Sequence, residues 1–197
     1  MSPEVLMALR PLSSPPGPPG WNHDDITELL GDTRRRPAAV LLGLRESVQP
    51  RLVLTVRTDH LQSHAGQVAF PGGGTDAGDA DALATALRES EEEIGLDRAL
   101  VTPLGYLDSF ETVSGYCITP VVARIAPDAR LHAAPAEVAE VFEVPLAFFL
   151  EPANLRRYVM DYRGHRREMV EFVHGGHRIW GATAAILLNL LQRMGRA

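Results

Sequence analysis

Between residues 70 and 96 the chain reads Phe70-Pro71-Gly72-Gly73-Gly74, then a short polar stretch, then Arg88-Glu89-Ser90-Glu91-Glu92-Glu93-Ile94-Gly95-Leu96. Leu83, Ala86, Leu87, Ser90 and Ile94 fall on one helical face, so the spacing predicts a helix over 79–94 that Gly95 stops. On that helix Glu89, Glu92 and Glu93 stand at i, i+3 and i+4 and share a face, while Glu91 points elsewhere. Carboxylates gathered on one face repel unless a cation neutralises them, so the pattern predicts a bound metal. An all-oxygen donor set favours Mg2+ or Mn2+ over zinc. Arg88 is the i,i+4 partner of Glu92 and is placed to orient it. Ahead of the helix, the three glycines allow the backbone to approach a ligand closely. Taken separately, an acidic helix face is most simply a solvated surface, and a glycine run is most simply a turn.

Outward from this segment, short apolar runs alternate with turn residues. Residues 38–44 and 51–57 read as strands around a turn containing Pro50, and 67–70 as a third, stopped by Pro71. Further strands are expected at 105–110, 117–125, 138–144, 156–162 and 168–173, with Gly175-Gly176 at a hairpin tip and a final helix over 181–194. A helix after Asn22 would carry Ile26, Leu29 and Leu30 on one side, with Arg34 to Arg36 suiting its C-terminal dipole. Many strands with few helices predict an α/β (α+β) fold, a mixed sheet clamped between helices. Residues 1–20, with Pro11-Leu-Ser-Ser-Pro-Pro-Gly-Pro-Pro-Gly20, are expected to form a flexible Pro-rich arm, and residues 21–197 a single domain.

Composition narrows the functions available. In 197 residues there are 19 basic and 25 acidic side chains, a net charge of -6, which argues against general nucleic-acid binding. Every basic residue is arginine, which excludes a lysine Schiff base and a P-loop. The single cysteine, Cys117, excludes an internal disulfide and a cysteine zinc cluster, and fits a cytoplasmic location. No signal peptide is expected, and the longest apolar tract, 181–191, is too short to span a bilayer.

The stretch from Gly73 through Arg88-Glu89-x-x-Glu92-Glu93-x-Gly95-Leu96 resembles the box of the Nudix hydrolases, Gly-x5-Glu-x7-Arg-Glu-U-x-Glu-Glu-x-Gly-U, with U a bulky aliphatic. The chain departs from it in three places. Ala80 stands where the first Glu belongs, Gly73 lies one residue too far upstream, and Ser90 replaces an aliphatic. Asp76 or Asp79 is the candidate to replace the missing Glu in part. A second run, Val53-Leu54-Thr55-Val56-Arg57-Thr58, then Gly66 and Phe70-Pro71-Gly72-Gly73, resembles the coenzyme A pyrophosphatase branch of that family, with Gln62 where the branch shows a second Arg. Trp180-Gly181-x-Thr183-Ala184 also looks like that branch.

The resemblance implies an α/β/α sandwich, with the box at about 73–96, and metal-dependent hydrolysis of coenzyme A to 3′,5′-ADP and 4′-phosphopantetheine. It implies Mg2+ or Mn2+ on Glu89, Glu92 and Glu93, with Glu92 and Glu93 also catalytic, and Arg88 and Gly95 structural in the motif. Glu137, just before the strand at 138–144, matches an acidic position common after the box and is preferred to Glu140 and Glu111 as general base. Arg57, Gly72, Gly73 and His64 are the candidate substrate contacts, because a guanidinium binds phosphate bidentately. The partner expected is a small molecule, with neither nucleic acid nor membrane, and the oligomeric state is open, a homodimer included. Tyr116 and Phe110 are candidates for stacking on adenine or for core packing. His174 and His177 read as the flanks of a hairpin. Arg163 to Arg167 reads as a charged turn or part of a subunit contact. ADP-ribose or another nucleoside diphosphate derivative is the alternative substrate, and a catalytically weak nucleotide-binding module is the alternative class.

Overall fold

The computed structural model describes residues 3–59, 66–162 and 164–197. Two short N-terminal helices, α1 (Pro3–Met7) and α2 (His23–Leu30), precede β1 (Arg36–Arg45), β2 (Arg51–Arg57), β3 (Val68–Ala69) and β4 (Gly72–Gly74). The helix α3 (Ala82–Ile94) leads to β5 (Val101–Tyr106), β6 (Phe110–Glu111), β7 (Tyr116–Ile125) and β8 (Val138–Pro145). A short α4 (Leu146–Leu150), the strands β9 (Arg156–Tyr162), β10 (His165–His174) and β11 (His177–Trp180), and α5 (Gly181–Arg193) complete the chain.

β1 is the spine. It runs parallel to β7 from Arg36↔Tyr116 to Arg45↔Ile125, and its other edge is shared between β4 and β2. Antiparallel β5 and β6 extend the sheet beyond β7, and β3 and β8 flank β2. A strand covered on both faces is apolar on both, as β1 is. Val40, Leu42 and Leu44 pack toward Ile186, Leu187 and Leu190 of α5, while Ala39 and Leu41 pack toward Ala86 and Ile94 of α3. The result is the expected mixed sheet between helices. The strands β9, β10 and β11 form a second, three-stranded antiparallel sheet, closed at Gly175-Gly176, whose Phe172 and Ile179 join the α5 core. No helix among the described residues is long and apolar enough to cross a membrane.

Three local expectations are corrected. The Pro-rich N-terminus is packed. Val5 and Ala8 are buried in the α5 core, Arg10 exchanges backbone hydrogen bonds with Tyr106, and its guanidinium reaches Asp108 at 2.9 Å. The open edge of β5 supplies the partner that the segment's composition lacks. Of Arg34 to Arg36 only Arg35 reaches the C-terminal end of α2, its Nη2 donating to the carbonyl of the C-cap Gly31 at 3.1 Å. Its Nε turns inward to Glu111, and Arg36 opens β1 with its guanidinium over the Tyr116 ring. The Gly72–Gly74 run is a strand, paired through Ala38↔Gly74, Ala39↔Gly73 and Val40↔Gly72. Gly72 fits there because a Cβ would lie 2.3 Å from the Ala39 carbonyl oxygen.

Candidate active site

α3 begins three residues later than its apolar spacing suggests. Asp81 caps it by accepting the Ala84 N–H at 2.8 Å, and Gly95 ends it in the left-handed region at φ +62. Asp79 is thereby left outside the helix. Ser90, in the aliphatic place of the box, is fully buried and donates its hydroxyl to the Ala86 carbonyl at 2.7 Å, which satisfies it in an apolar setting.

Arg88 organises the acidic face. Its Nε donates to Asp79 Oδ1 at 3.0 Å and Nη2 to Asp79 Oδ2 at 2.9 Å, a bidentate pair. Nη2 also donates to the Gly74 carbonyl at 3.0 Å, and Nη1 to Glu89 at 2.9 Å and Glu92 at 3.3 Å. Hydrogen bonds from Arg88, first, and from the Asp76 N–H hold the Asp79 carboxyl well below the usual range. Asp79, one candidate to replace the missing box Glu, is therefore engaged in aligning Arg88, and Asp76 stays exposed, 3.8 Å from the same guanidinium. Glu91 points away, as expected, to Arg98 at 2.6 Å.

The three glutamates sit at different depths. Glu92 is exposed, Glu89 is largely covered, and the Glu93 side chain is only 4% exposed. Glu93 thus lies off the solvated surface that an acidic helix face most simply suggests, because i+4 from Glu89 carries the residue inward against β4 and β2. Its Oε2 accepts the Gly72 N–H at 3.0 Å, and its Oε1 lies 3.5 Å from Arg57 Nη1. Burial pushes its carboxyl up to about 7, against the pull of the Gly72 N–H and Arg57. Burial likewise raises Glu89. Gly73 is the space that Glu89 occupies, since a Cβ there would lie 2.5 Å from its carboxyl carbon. The Nε of Arg57 is buried with no hydrogen-bond partner among the described residues, so this guanidinium has an unused donor beside the carboxylates.

Glu137 enters from the loop just before β8. The His132 N–H donates to the Ile94 carbonyl at 3.0 Å and the Ala134 N–H to the Glu93 carbonyl at 2.9 Å, so residues 132–134 strap the C-terminal end of α3. The Thr58 N–H then donates to the Glu137 carbonyl at 3.0 Å, tying that residue to the end of β2. The Glu137 carboxylate is exposed, and its negative charge adds to the upward push that burial gives Glu89 and Glu93. The two competitors are occupied. Glu140 pairs with His177 at 3.1 Å, and buried Glu111 is held by Gly20, His23 and Arg35.

His64 lies outside the described residues, as does Gln62. Phe110 packs on the core and on Trp21, and His174 and His177 flank the β10–β11 turn as expected. The carboxylates are distributed over Arg88, Gly72 and Arg57, and among the described residues no three acidic, histidine or cysteine side chains converge closely enough to cage an ion as they stand. The donor set is nonetheless that of a hard cation: oxygen only, on one helix face, with buried charge that a cation would offset.

The NUDIX domain family model matches residues 34–162. A Photorhabdus laumondii protein described as uncharacterized Nudix hydrolase NudL is 42% identical over 165 residues, covering 84% of this chain and 88% of that protein. The protein of the same description from Escherichia coli K12 is 42% identical over 160 residues, covering 81% and 83%. Among solved structures, a MutT/nudix family protein from Enterococcus faecalis matches with a TM-score of 0.51 at 16% identity, over 83% of this chain and 63% of that one, a likeness of fold alone.

Proposed function

The chain belongs to the Nudix hydrolase family, pyrophosphohydrolases that generally use divalent cations such as Mg2+ or Mn2+, and from that premise we propose that it hydrolyses the diphosphate bond of coenzyme A. The products would be 3′,5′-ADP and 4′-phosphopantetheine. One observation carries the reading. The run resembling the coenzyme A branch, through Arg57 and Phe70-Pro71-Gly72-Gly73, meets the box at Glu93, which receives the Gly72 N–H and faces Arg57.

Glu89, Glu92 and Glu93 would hold the cation. Glu92 is free to turn inward, because its link to Arg88 is an exposed i,i+4 pair. A bound divalent ion supplies positive charge to the diphosphate oxygens and acidifies water. Arg57, whose side chain stays partly exposed beside Glu93, binds a phosphate oxygen through its guanidinium and orients the diphosphate. Glu137 accepts the proton of the attacking water, its carbonyl tied to the end of β2 and its N–H to Ala134, which is strapped to α3, while its carboxylate stays exposed. Arg88 and Asp79 act at one remove by aligning Glu89 and Glu92.

The test is incubation with coenzyme A and Mg2+ or Mn2+, with ADP-ribose and NADH alongside and products resolved by chromatography. Appearance of 3′,5′-ADP and phosphopantetheine, lost in Glu93→Gln, supports the proposal. Cleavage of ADP-ribose but not coenzyme A would keep the chemistry and discard the substrate. Silence on all three at every metal concentration would leave a nucleotide-binding module.

A further inference from the structure

β9 closes one side of the three-stranded sheet, and among the described residues it pairs with β10 alone. Every second residue of such a strand turns its N–H and C=O outward, a template for another strand. Proteins usually blunt such edges with proline, with charge or with a covering element. β9 has no proline, and its charges are of both signs, so they can pair across the edge as well as repel. Its sequence, Arg156-Arg157-Tyr158-Val159-Met160-Asp161-Tyr162, places an arginine two residues before Val159 and an aspartate two residues after it. Val159 itself is 58% exposed, a large apolar side chain at the midpoint of the strand.

We infer that β9 pairs with β9 of a second copy of this chain, antiparallel and in the register that sets Val159 opposite Val159. Arg157 then faces Asp161 of the second copy, and the two-fold axis repeats the pair. Tyr158 faces Met160 on the other side of the strand, an aromatic–sulfur contact. The exposed valine is covered by its own symmetry mate. Competing arrangements lose this match. In-register parallel pairing sets Arg157 against Arg157 and Asp161 against Asp161, and antiparallel pairing centred on either charge sets that charge against itself. Within one chain, Arg157 already bridges to Glu168 at 3.0 Å, and Asp161 Oδ1 accepts the Gly164 N–H at 3.0 Å. Arg157 is therefore held upright between two acids, and Asp161 keeps its second oxygen for the partner. Isologous pairing of this kind uses the edge once and does not propagate. The product is a two-fold dimer with a continuous six-stranded sheet.

Sedimentation equilibrium on the full chain reads the outcome. The unaltered protein should show twice the mass of one chain, and Arg157→Glu and Asp161→Lys should each halve it, because each sets like charges together. An equimolar mixture of the two variants should recover the doubled mass, since the introduced glutamate then meets the introduced lysine while Asp161 of one chain still meets Arg157 of the other. Misfolded variants would give no such recovery. Val159→Cys should cross-link to a disulfide dimer under mild oxidation, whereas Cys117 is buried. A monomeric unaltered chain at the highest concentration it tolerates would overturn the inference. So would a mixture that stays monomeric, or a dimer that Val159→Cys does not cross-link.

Discussion

Gly72→Ala and Gly73→Ala, one residue apart, should fail for different reasons. At Gly73 an added Cβ would lie 2.5 Å from the Glu89 carboxyl carbon and 2.6 Å from each of its oxygens. Those atoms are the free end of a rotatable side chain, so the backbone need not move. Glu89 is driven off Arg88 instead, and the loss of that partly exposed pair costs about 1 kcal/mol, lowering Tm by about 2–4 °C in a chain of this size. At Gly72 the Cβ would meet backbone: Ala39 O at 2.3 Å and Val40 Cα at 2.6 Å, at a φ of +152. Strain of about 1–3 kcal/mol adds to overpacking of similar size, on the order of 4 kcal/mol together. Tm should then fall by about 8–16 °C. Gly73→Ala should lose about 10–100-fold in apparent Mn2+ affinity or kcat/KM, as displaced metal-site groups commonly do. Scanning calorimetry and hydrolysis rates measured across a Mn2+ series read both quantities. If Gly73→Ala kept the unaltered rate and metal dependence, the position of Glu89 would be immaterial. If it lost as much Tm as Gly72→Ala, Gly73 would serve the β4–β1 contact and not the carboxylate.

Glu93→Gln should abolish turnover and leave Tm unchanged or higher, since the amide oxygen still accepts the Gly72 N–H and a desolvated charge is removed. Glu91→Gln, losing only an exposed pair with Arg98, should stay near the unaltered rate; equal loss in both would refute the helix-face assignment. Arg88→Lys replaces a planar fork that reaches Asp79, Glu89, Glu92 and the Gly74 carbonyl with a point charge, and should lower Tm by about 4–8 °C, or about 2 kcal/mol. Glu137→Gln should lower kcat by about 10²–10⁴-fold with KM little changed, and an unchanged kcat would remove it as the base. Burial raises Asp108, but hydrogen bonds from Arg10, Asn189 and Arg193 outweigh it, and its folded pKa is lowered. The stability it adds is complete above the ordinary carboxylate range, near pH 4, and is lost as pH falls further. Urea midpoints of the unaltered chain and Asp108→Asn should therefore differ at pH 7 and converge toward pH 3; a constant gap would refute the sign.

What was legible in the sequence followed from periodicity and punctuation, and what was not depended on neighbours distant in the chain. The apolar spacing of α3 and its glycine stop appeared as expected, and β1 and β2 fell within two residues of their predicted ends. The start of α3 was misplaced because Asp79 and Asp81 both suit a helix N-terminus, and only Arg88, folded back from the third turn, separates the cap from the ion-pair partner. Three glycines have no strand propensity, so Gly72–Gly74 became a strand solely through the open edge of β1. The same holds for the N-terminal arm, whose prolines suggested a free tail while Val5 and Ala8 found a core.

Glu93 shows where local reading stops and why that bears on function. Spacing placed it with Glu89 and Glu92, yet on a helix the i+4 step from Glu89 also approaches the inward line of Ala86, Ser90 and Ile94. Whether such a carboxylate meets water or sheet depends on what lies across from it. Across from it lie β4, which has no side chains to fill the gap, and Arg57 at the end of β2. The glycines thus admit the carboxylate to the interior as well as the backbone to a ligand. A charge buried with one N–H and a distant guanidinium is under-compensated. A cation seated there would offset its desolvation, which couples metal affinity to the closeness of the β4–α3 contact. Loosening that contact should therefore weaken metal binding even where every carboxylate is kept.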